Sequence, residues 1–270
     1  MAQADLKGKW ALILGASSGF GAATALELAR NGVNIIGLHL DRGPGLEAVK
    51  GLVAELESFG VQVHYTNMNI ANAEKRTDAI AKIKATLAAV PDGPQILHVV
   101  MHSVAFGSLL PFIGEVTKTL TQAQVEMTLD VMANSLVYWA QDLWRAGLIG
   151  KGSRFFSMTS AGSITVFDTY GAVSAAKAAL ESHTRQLALE MAKYGVLANT
   201  IMAGVTNTAA LRKIPGSDKL VEGATRRNPS GRLTTTTDIA KTIRALSDPE
   251  IVWINGATIV VDGGELISGS

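Results

Sequence analysis

Trp10-Ala-Leu-Ile-Leu14-Gly15-Ala-Ser-Ser-Gly19-Phe-Gly21 is the stretch on which the architecture turns. Five apolar residues running straight into a glycine read as a strand buried on both faces. Beyond it, residues 19–30 carry apolar side chains at Ala22, Ala25, Leu26 and Ala29, the spacing of one helix face, and Asn31-Gly32 stops the pattern. Strand, glycine loop and helix in immediate succession suit an anion. The glycines let the backbone turn tightly and approach a pyrophosphate, and the helix N-terminus presents unpaired N–H groups with a partial positive charge. A glycine turn needed only for packing has the same letters, but its place right after a strand and at the mouth of a helix favours the phosphate site.

The same alternation continues along the chain. Strands are expected at residues 33–40, 61–65, 96–101, 153–158, 196–202 and 258–261. Helices are expected at 46–59, at 73–89 with Pro91-Asp-Gly-Pro94 as its stop, within 120–146, at 170–194, and at 239–246 after an Asp238 cap. Strands that alternate with helices build one parallel sheet covered on both faces. The expected fold is therefore α/β, a Rossmann-type doubly wound parallel sheet of about seven strands. No linker interrupts it, so residues 1–270 read as a single domain. The longest irregular stretch is 205–233, with Pro215-Gly216 and Asn228-Pro229 inside it, and a connection of that length suggests a substrate lid.

Composition narrows the classes. Hydrophobic residues make up 47% and charged residues 17%, as a large core requires, and the net charge of +1 gives no attraction for nucleic acid. There is no cysteine, so thiolate and disulfide chemistry are excluded, which fits a cytoplasmic setting. No run approaches a membrane span, and the N-terminus lacks the apolar stretch of a signal peptide. The five histidines show no metal-ligand spacing, so no metal site is expected.

Tyr170 and Lys177 stand out within Asp168-Thr-Tyr-Gly-Ala-Val-Ser-Ala-Ala-Lys177. Seven residues are nearly two helical turns, which would put both side chains on one face about 20° apart. Ala172, Val173, Ala175, Ala176, Ala178, Ala179 and Leu180 make the surrounding helix apolar nearly all round, so it is expected to be buried. A buried phenol and ammonium need partners, and a substrate and a cofactor are natural ones.

With these residues in place the chain resembles the short-chain dehydrogenase/reductase superfamily over nearly its whole length. The glycine motif matches at Gly15, Gly19 and Gly21, with Leu14 where Thr is usual. The segment after the sixth strand, from Asn199 through Ala203-Gly204 to Thr208, matches, with Ala203 in place of Pro; Val261-Asp-Gly-Gly264 matches the C-terminal signature. The resemblance implies that Gly15, Ser17, Ser18, Gly19, Phe20, Gly21, Ser103, Val104, Ala203, Gly204, Thr206 and Thr208 bind the cofactor, with Lys177 on its ribose. It also implies Asn69-Ile70 at the adenine ring and His102 in the cofactor wall. His39 ends the second strand where NAD-specific members carry an acid. Arg42 nearby could pair a 2′-phosphate through its fork of donors, so NADPH is expected, with NADH possible through Asp41 on the ribose.

Ketone reductases of the superfamily have Tyr-x-x-x-Lys. Aligned on Lys177, that Tyr position is Val173, and Tyr170 lies one turn earlier. The Tyr-x6-Lys spacing resembles bacterial enoyl-acyl-carrier-protein reductases, as do His102-Ser-Val-Ala-Phe106 and Met132 in place of a relay Asn. An ordinary glycine loop, together with Ser160 at the carbonyl-binding position, resembles the NADPH-using variant of those enzymes. The implied activity is reduction of an enoyl thioester, carried on acyl carrier protein or coenzyme A, in fatty-acid synthesis, with Tyr170, Lys177 and Ser160 catalytic. Phe106, Leu109, Phe167, Met202, Leu211 and Ile214 are candidate acyl-pocket residues or plain core. Tyr138, Trp139 and Trp144 either serve a homotetramer interface or pack under the sheet. A ketone or alcohol dehydrogenase with a displaced Tyr, or a non-catalytic NADP-binding sensor or scaffold, would share most of these features.

Overall fold

The structure, a computed structural model, describes residues 6–268 apart from 91, 92 and 94. Pro91, Asp92 and Pro94 of the expected helix stop, and residues 1–5, therefore lie outside the described residues.

Seven strands form one parallel sheet: β1 (Trp10–Leu14), β2 (Asn34–His39), β3 (Val63–Asn67), β4 (Val99–His102), β5 (Arg154–Ser160), β6 (Leu197–Ala203) and β7 (Thr258–Val261), in the order β3-β2-β1-β4-β5-β6-β7. Strand order reverses between β1 and β4, so the loops after these two strands diverge and leave a crevice at their C-terminal ends. Side chains alternate across the sheet. Leu12, Leu14, Val100 and Phe155 face a layer holding Ile83, Trp139, Val173 and Leu180. Ala11, Ile13, Met101 and Phe156 face Ala25, Leu28, Leu56, Ile239 and Ile243. The helices α1 (Gly19–Arg30), α2 (Pro44–Glu57) and α8 (Thr236–Leu246) thus cover one face, and α3 (Ala73–Ala88), α4 (Gln122–Leu129), α5 (Ser135–Arg145) and α6 (Gly171–Met191) the other.

Five expectations are corrected. β3 lies two residues later than expected, because the ladder pairs Leu38 with Thr66 and His39 with Asn67 and so carries polar residues into the strand. The expected long helix within 120–146 is broken by a π-helical turn, Asp130–Asn134, between α4 and α5. α6 is not buried all round: Ala175, Ala178 and Leu189 are exposed on its outer side. Residues 205–233 are not irregular throughout. A 3-10 turn, Leu211–Lys213, and α7 (Ser217–Arg227) occupy them; Gly216, left-handed at φ 75°, starts α7, and Asn228 in extended conformation before Pro229 ends it. Finally, the cap of α8 is Thr235. Asp238 is the third helical residue, and its carboxylate returns a bond to the Thr235 N–H at 2.8 Å in a capping box.

Candidate active site

The loop after β1 is built as its sequence suggests. Gly15 has φ 88°, and a Cβ there would run into the Ser103 carbonyl at the end of β4; one on Gly21 would strike the Gly15 carbonyl. Ser18 precedes α1 in an extended conformation without a side-chain capping bond, so the first N–H groups of α1 remain open to an anion. Across the loop, Thr208 approaches the position of a Gly19 Cβ to 3.7 Å, and Val104 that of Gly15 to 3.5 Å. Ser17, Phe20 and Ser103 belong to the same cradle, Phe20 with its ring against the core below. Ala203 ends β6 beside Val261, Gly204 packs on Asp262, and the Thr206 hydroxyl donates to the Gly204 carbonyl at 3.0 Å.

At the end of β2, His39 is buried and its Nδ1 lies 2.9 Å from an Asp41 carboxylate oxygen. Arg42 next to it is exposed, with no hydrogen bond or ion pair from its side chain among the described residues. Asn69 is exposed and accepts from the Ala71 N–H, whereas the Ile70 side chain lies in the core and its carbonyl accepts from Trp139 Nε1 at 3.0 Å. Trp139 is thus a core residue rather than an assembly contact, while Trp144 stays half open against Tyr194. His102 lies at the end of β4. Its ring is wholly enclosed beneath α5 and hydrogen-bonded to Ser135 at 2.8 Å.

Tyr170 is the residue before α6, at φ −95° and ψ 0°, and not within the helix. Its placement therefore comes from the loop. Thr169, φ 63°, is the one non-glycine residue in the left-handed region among those described, a strained position for a β-branched side chain. Gly162 lies under the phenol, with Tyr170 Cε1 2.5 Å from where its Cβ would be, and Phe167 meets the ring edge-on at 5.9 Å. Burial pushes the Tyr170 pKa up, and the Ser160 hydroxyl beside it offsets part of that rise. Ser160 Oγ is nevertheless buried without an aligned hydrogen bond. The two hydroxyls are neighbours rather than a closed pair, and Ser160 keeps an oxygen to offer.

Lys177 is buried inside α6 and donates from Nζ to the Met158 carbonyl at 2.7 Å. Burial lowers its pKa to about 8, against the opposing pull of Glu181 one turn further along α6. Glu181 in turn accepts from Thr159 Oγ1 at 2.7 Å. Val173 is enclosed at 6% exposure, with its methyl 2.8 Å from the position of a Gly107 Cβ.

Of the candidate acyl residues, Leu109 packs against the core, Met202 is buried in β6, Phe106 is exposed, and Leu211 and Ile214 are half-buried at the turn before α7. The sequence reading missed Glu181, Gly162, Thr169 and the exposed apolar residues Phe112, Ile113, Ile164 and Val166. Phe112 presses its ring on Gly171, next to Tyr170. Helical spacing, four residues from Lys177, was the signal available for Glu181.

A switch-point crevice with an open glycine cradle, a half-buried Tyr170 and a buried Lys177 fits a dinucleotide-binding oxidoreductase of the short-chain dehydrogenase/reductase class. More narrowly, a family model described as enoyl-(acyl carrier protein) reductase matches residues 15–265, and the chain belongs to that family. It is 28% identical over 255 residues to 1-cyclohexenylcarbonyl-CoA reductase of Streptomyces collinus, covering 94% of this chain and 85% of that one. It is 31% identical over 173 residues, 64% of this chain and 63% of the relative, to the NADH-dependent enoyl-acyl-carrier-protein reductase FabI of Aquifex aeolicus. Among solved structures, the promiscuous reductase LugOII, which catalyses keto-reduction at C1 during lugdunomycin biosynthesis, superposes with a TM-score of 0.83 at 25% identity, covering 98% of this chain and all of that one.

Proposed function

We propose that this chain is an NADPH-dependent enoyl-thioester reductase that saturates a trans-2-enoyl thioester, on acyl carrier protein or coenzyme A, in the fatty-acid synthesis of the cytoplasm. The observation that carries this reading is the exchange at the head of α6. Val173, where a ketone reductase needs its phenol, is sealed into the core, while Tyr170 offers a phenol just outside the helix.

The residues present fit a dinucleotide. The uncapped N-terminus of α1 and the glycine cradle suit its pyrophosphate. Asp41 is engaged by His39, and Arg42 is free to pair a 2′-phosphate, which favours NADPH over NADH. When bound there, the reduced nicotinamide supplies a hydride. Carbonyl reduction places hydride on the carbon bearing the oxygen, whereas enoyl reduction places it on C3, two carbons from the thioester oxygen. A phenol carried by the residue before α6, rather than at the position of Val173 inside it, suits that more distant oxygen. Tyr170 hydrogen-bonds the oxygen as negative charge develops, Ser160 adds its unused hydroxyl, and Lys177 holds the ribose hydroxyls and contributes positive charge.

The unpartnered Ser160 hydroxyl beside Tyr170 is also what a carbonyl-reducing enzyme would use, and it favours that second reading. Assaying NADPH oxidation with matched enoyl and 3-oxoacyl thioesters separates the two: faster turnover of the enoyl substrate is expected, and a preference for the 3-oxoacyl substrate would reject the proposal. We further propose a homotetramer, in which the exposed outer face of α6, with Ala175, Ala178 and Leu189, is covered by another copy. Light scattering reads this directly.

A further inference from the structure

His102 ends β4 with no exposed surface, between Leu14 of β1 and Ser157 of β5. Its Nε2 lies 2.8 Å from Ser135 Oγ. The Ser135 hydroxyl has one hydrogen, and that hydrogen is given to the Val131 carbonyl at 2.8 Å across the π-helical turn. The Ser135 oxygen must therefore accept from His102, which puts the ring proton on Nε2 and leaves Nδ1 a bare lone pair. Nδ1 is itself buried, and nothing among the described residues donates to it. A buried acceptor of this kind is costly to leave unmatched.

Lys177 is the candidate donor. Lys177 Nζ is anchored on the carbonyl of Met158, the residue after the strand neighbour of His102, and that bond uses one of its three N–H groups. Burial above all, and after it the charge of Lys177, lower the ring pKa to about 3, so the ring stays neutral. Met132, buried in the π-helical turn, brings no hydrogen-bonding group that could serve instead. Among the described residues, Glu181, held by Thr159, and the Tyr170 phenol are further titratable groups at this end of the site.

We infer that His102 is a positioning residue for Lys177, its Nδ1 lone pair taking a hydrogen bond from the ammonium or from one water held on it; the inference rests on the oxidoreductase reading of the Tyr170–Lys177 pair. The π-helical turn then has a purpose: it sets Ser135 where it fixes the ring proton on Nε2 and so keeps Nδ1 an acceptor.

Two isosteres separate this role from a purely structural one. His102→Asn retains an acceptor near Nδ1 and loses the bond to Ser135, whereas His102→Gln retains a donor to Ser135 and loses the Nδ1 acceptor. Titration of Lys177 by lysine side-chain NMR in the cofactor-free protein is the first readout. Its pKa is expected to fall by about one unit in His102→Gln, the equivalent of a hydrogen bond to a charged group, and to hold in His102→Asn. NADPH-dependent turnover of an enoyl thioester should fall about tenfold in the Gln variant alone. The reverse order, Gln silent and Asn damaging, would make His102 a support for Ser135 and overturn the inference. Ser135→Ala is the check should the Asn variant not fold: it removes the acceptor that holds the ring proton on Nε2, so the Lys177 pKa is expected to fall, and an unchanged Lys177 would count against the inference. The NMR readout needs no substrate, so failure of the enoyl assay by itself leaves this test intact.

Discussion

At the scale of single residues, Tyr170 is the phenol to which we assign the chemistry, and Gly162 lies directly under its ring. Tyr170→Phe removes the proton and hydrogen bond while keeping the ring, so kcat should fall about 10²-fold or more with NADPH binding unchanged, as steady-state kinetics and cofactor fluorescence would report. Gly162→Ala puts a methyl where the Tyr170 ring edge lies, 2.5 Å from Cε1, and should lower kcat about tenfold with little change in melting temperature. Tyr170, Lys177 and the glycines of the β1 loop were legible in the sequence because each is chemically out of place in an apolar run. Ser160 as an unpartnered hydroxyl was not legible in the same way, because it depends on how the end of β5 meets Tyr170, and Glu181 had only its four-residue spacing from Lys177 to mark it.

At the scale of elements, α6 and the loop before it divide the work. The helix holds Lys177, and the loop delivers Tyr170 through a strained Thr169 at φ 63°. Thr169→Gly should relieve that backbone and raise the unfolding free energy by about 1 kcal/mol in urea melts, while turnover falls as the phenol loses its fixed seat. Reduced stability in this variant would show that the backbone there is not strained. Helical periodicity foretold α6 but set Tyr170 inside it, since seven residues at 3.6 per turn fit an unbroken helix equally well. It also ran α4 and α5 together: the π-helical turn keeps the apolar pattern and changes only the hydrogen-bond register. α7 went unread because its polar surface and its Pro215-Gly216 entry look like loop.

Across the whole molecule, two enclosed histidines tie stability to pH. Burial lowers the His98 pKa to about 4 and the His102 pKa to about 3, against about 6.5 in the unfolded chain. Between those values the unfolded chain binds the protons that the folded one excludes. Stability is therefore fully present above about pH 6.5 and is lost as pH falls toward 4 and 3, by up to about 1.4 kcal/mol per pH unit for each histidine. Melting temperature against pH should show this decline, shallower in His98→Gln. A parallel sheet covered on both faces followed from strand alternation alone, whereas the strand order with its switch point and the exposed apolar residues Phe112, Ile164 and Val166 emerged only once the strands and loops were placed. On the proposed mechanism, hydride reaches C3 of an enoyl thioester while Tyr170 serves the oxygen two carbons away. Turnover of crotonyl thioester with NADPH deuterated at the transferring position, followed by NMR of the product, tests it most directly. Deuterium at C3 of a saturated thioester, abolished in Tyr170→Phe, is the predicted result. Untouched crotonyl thioester alongside deuterium incorporation at the hydroxyl-bearing carbon of a 3-oxoacyl substrate would contradict it.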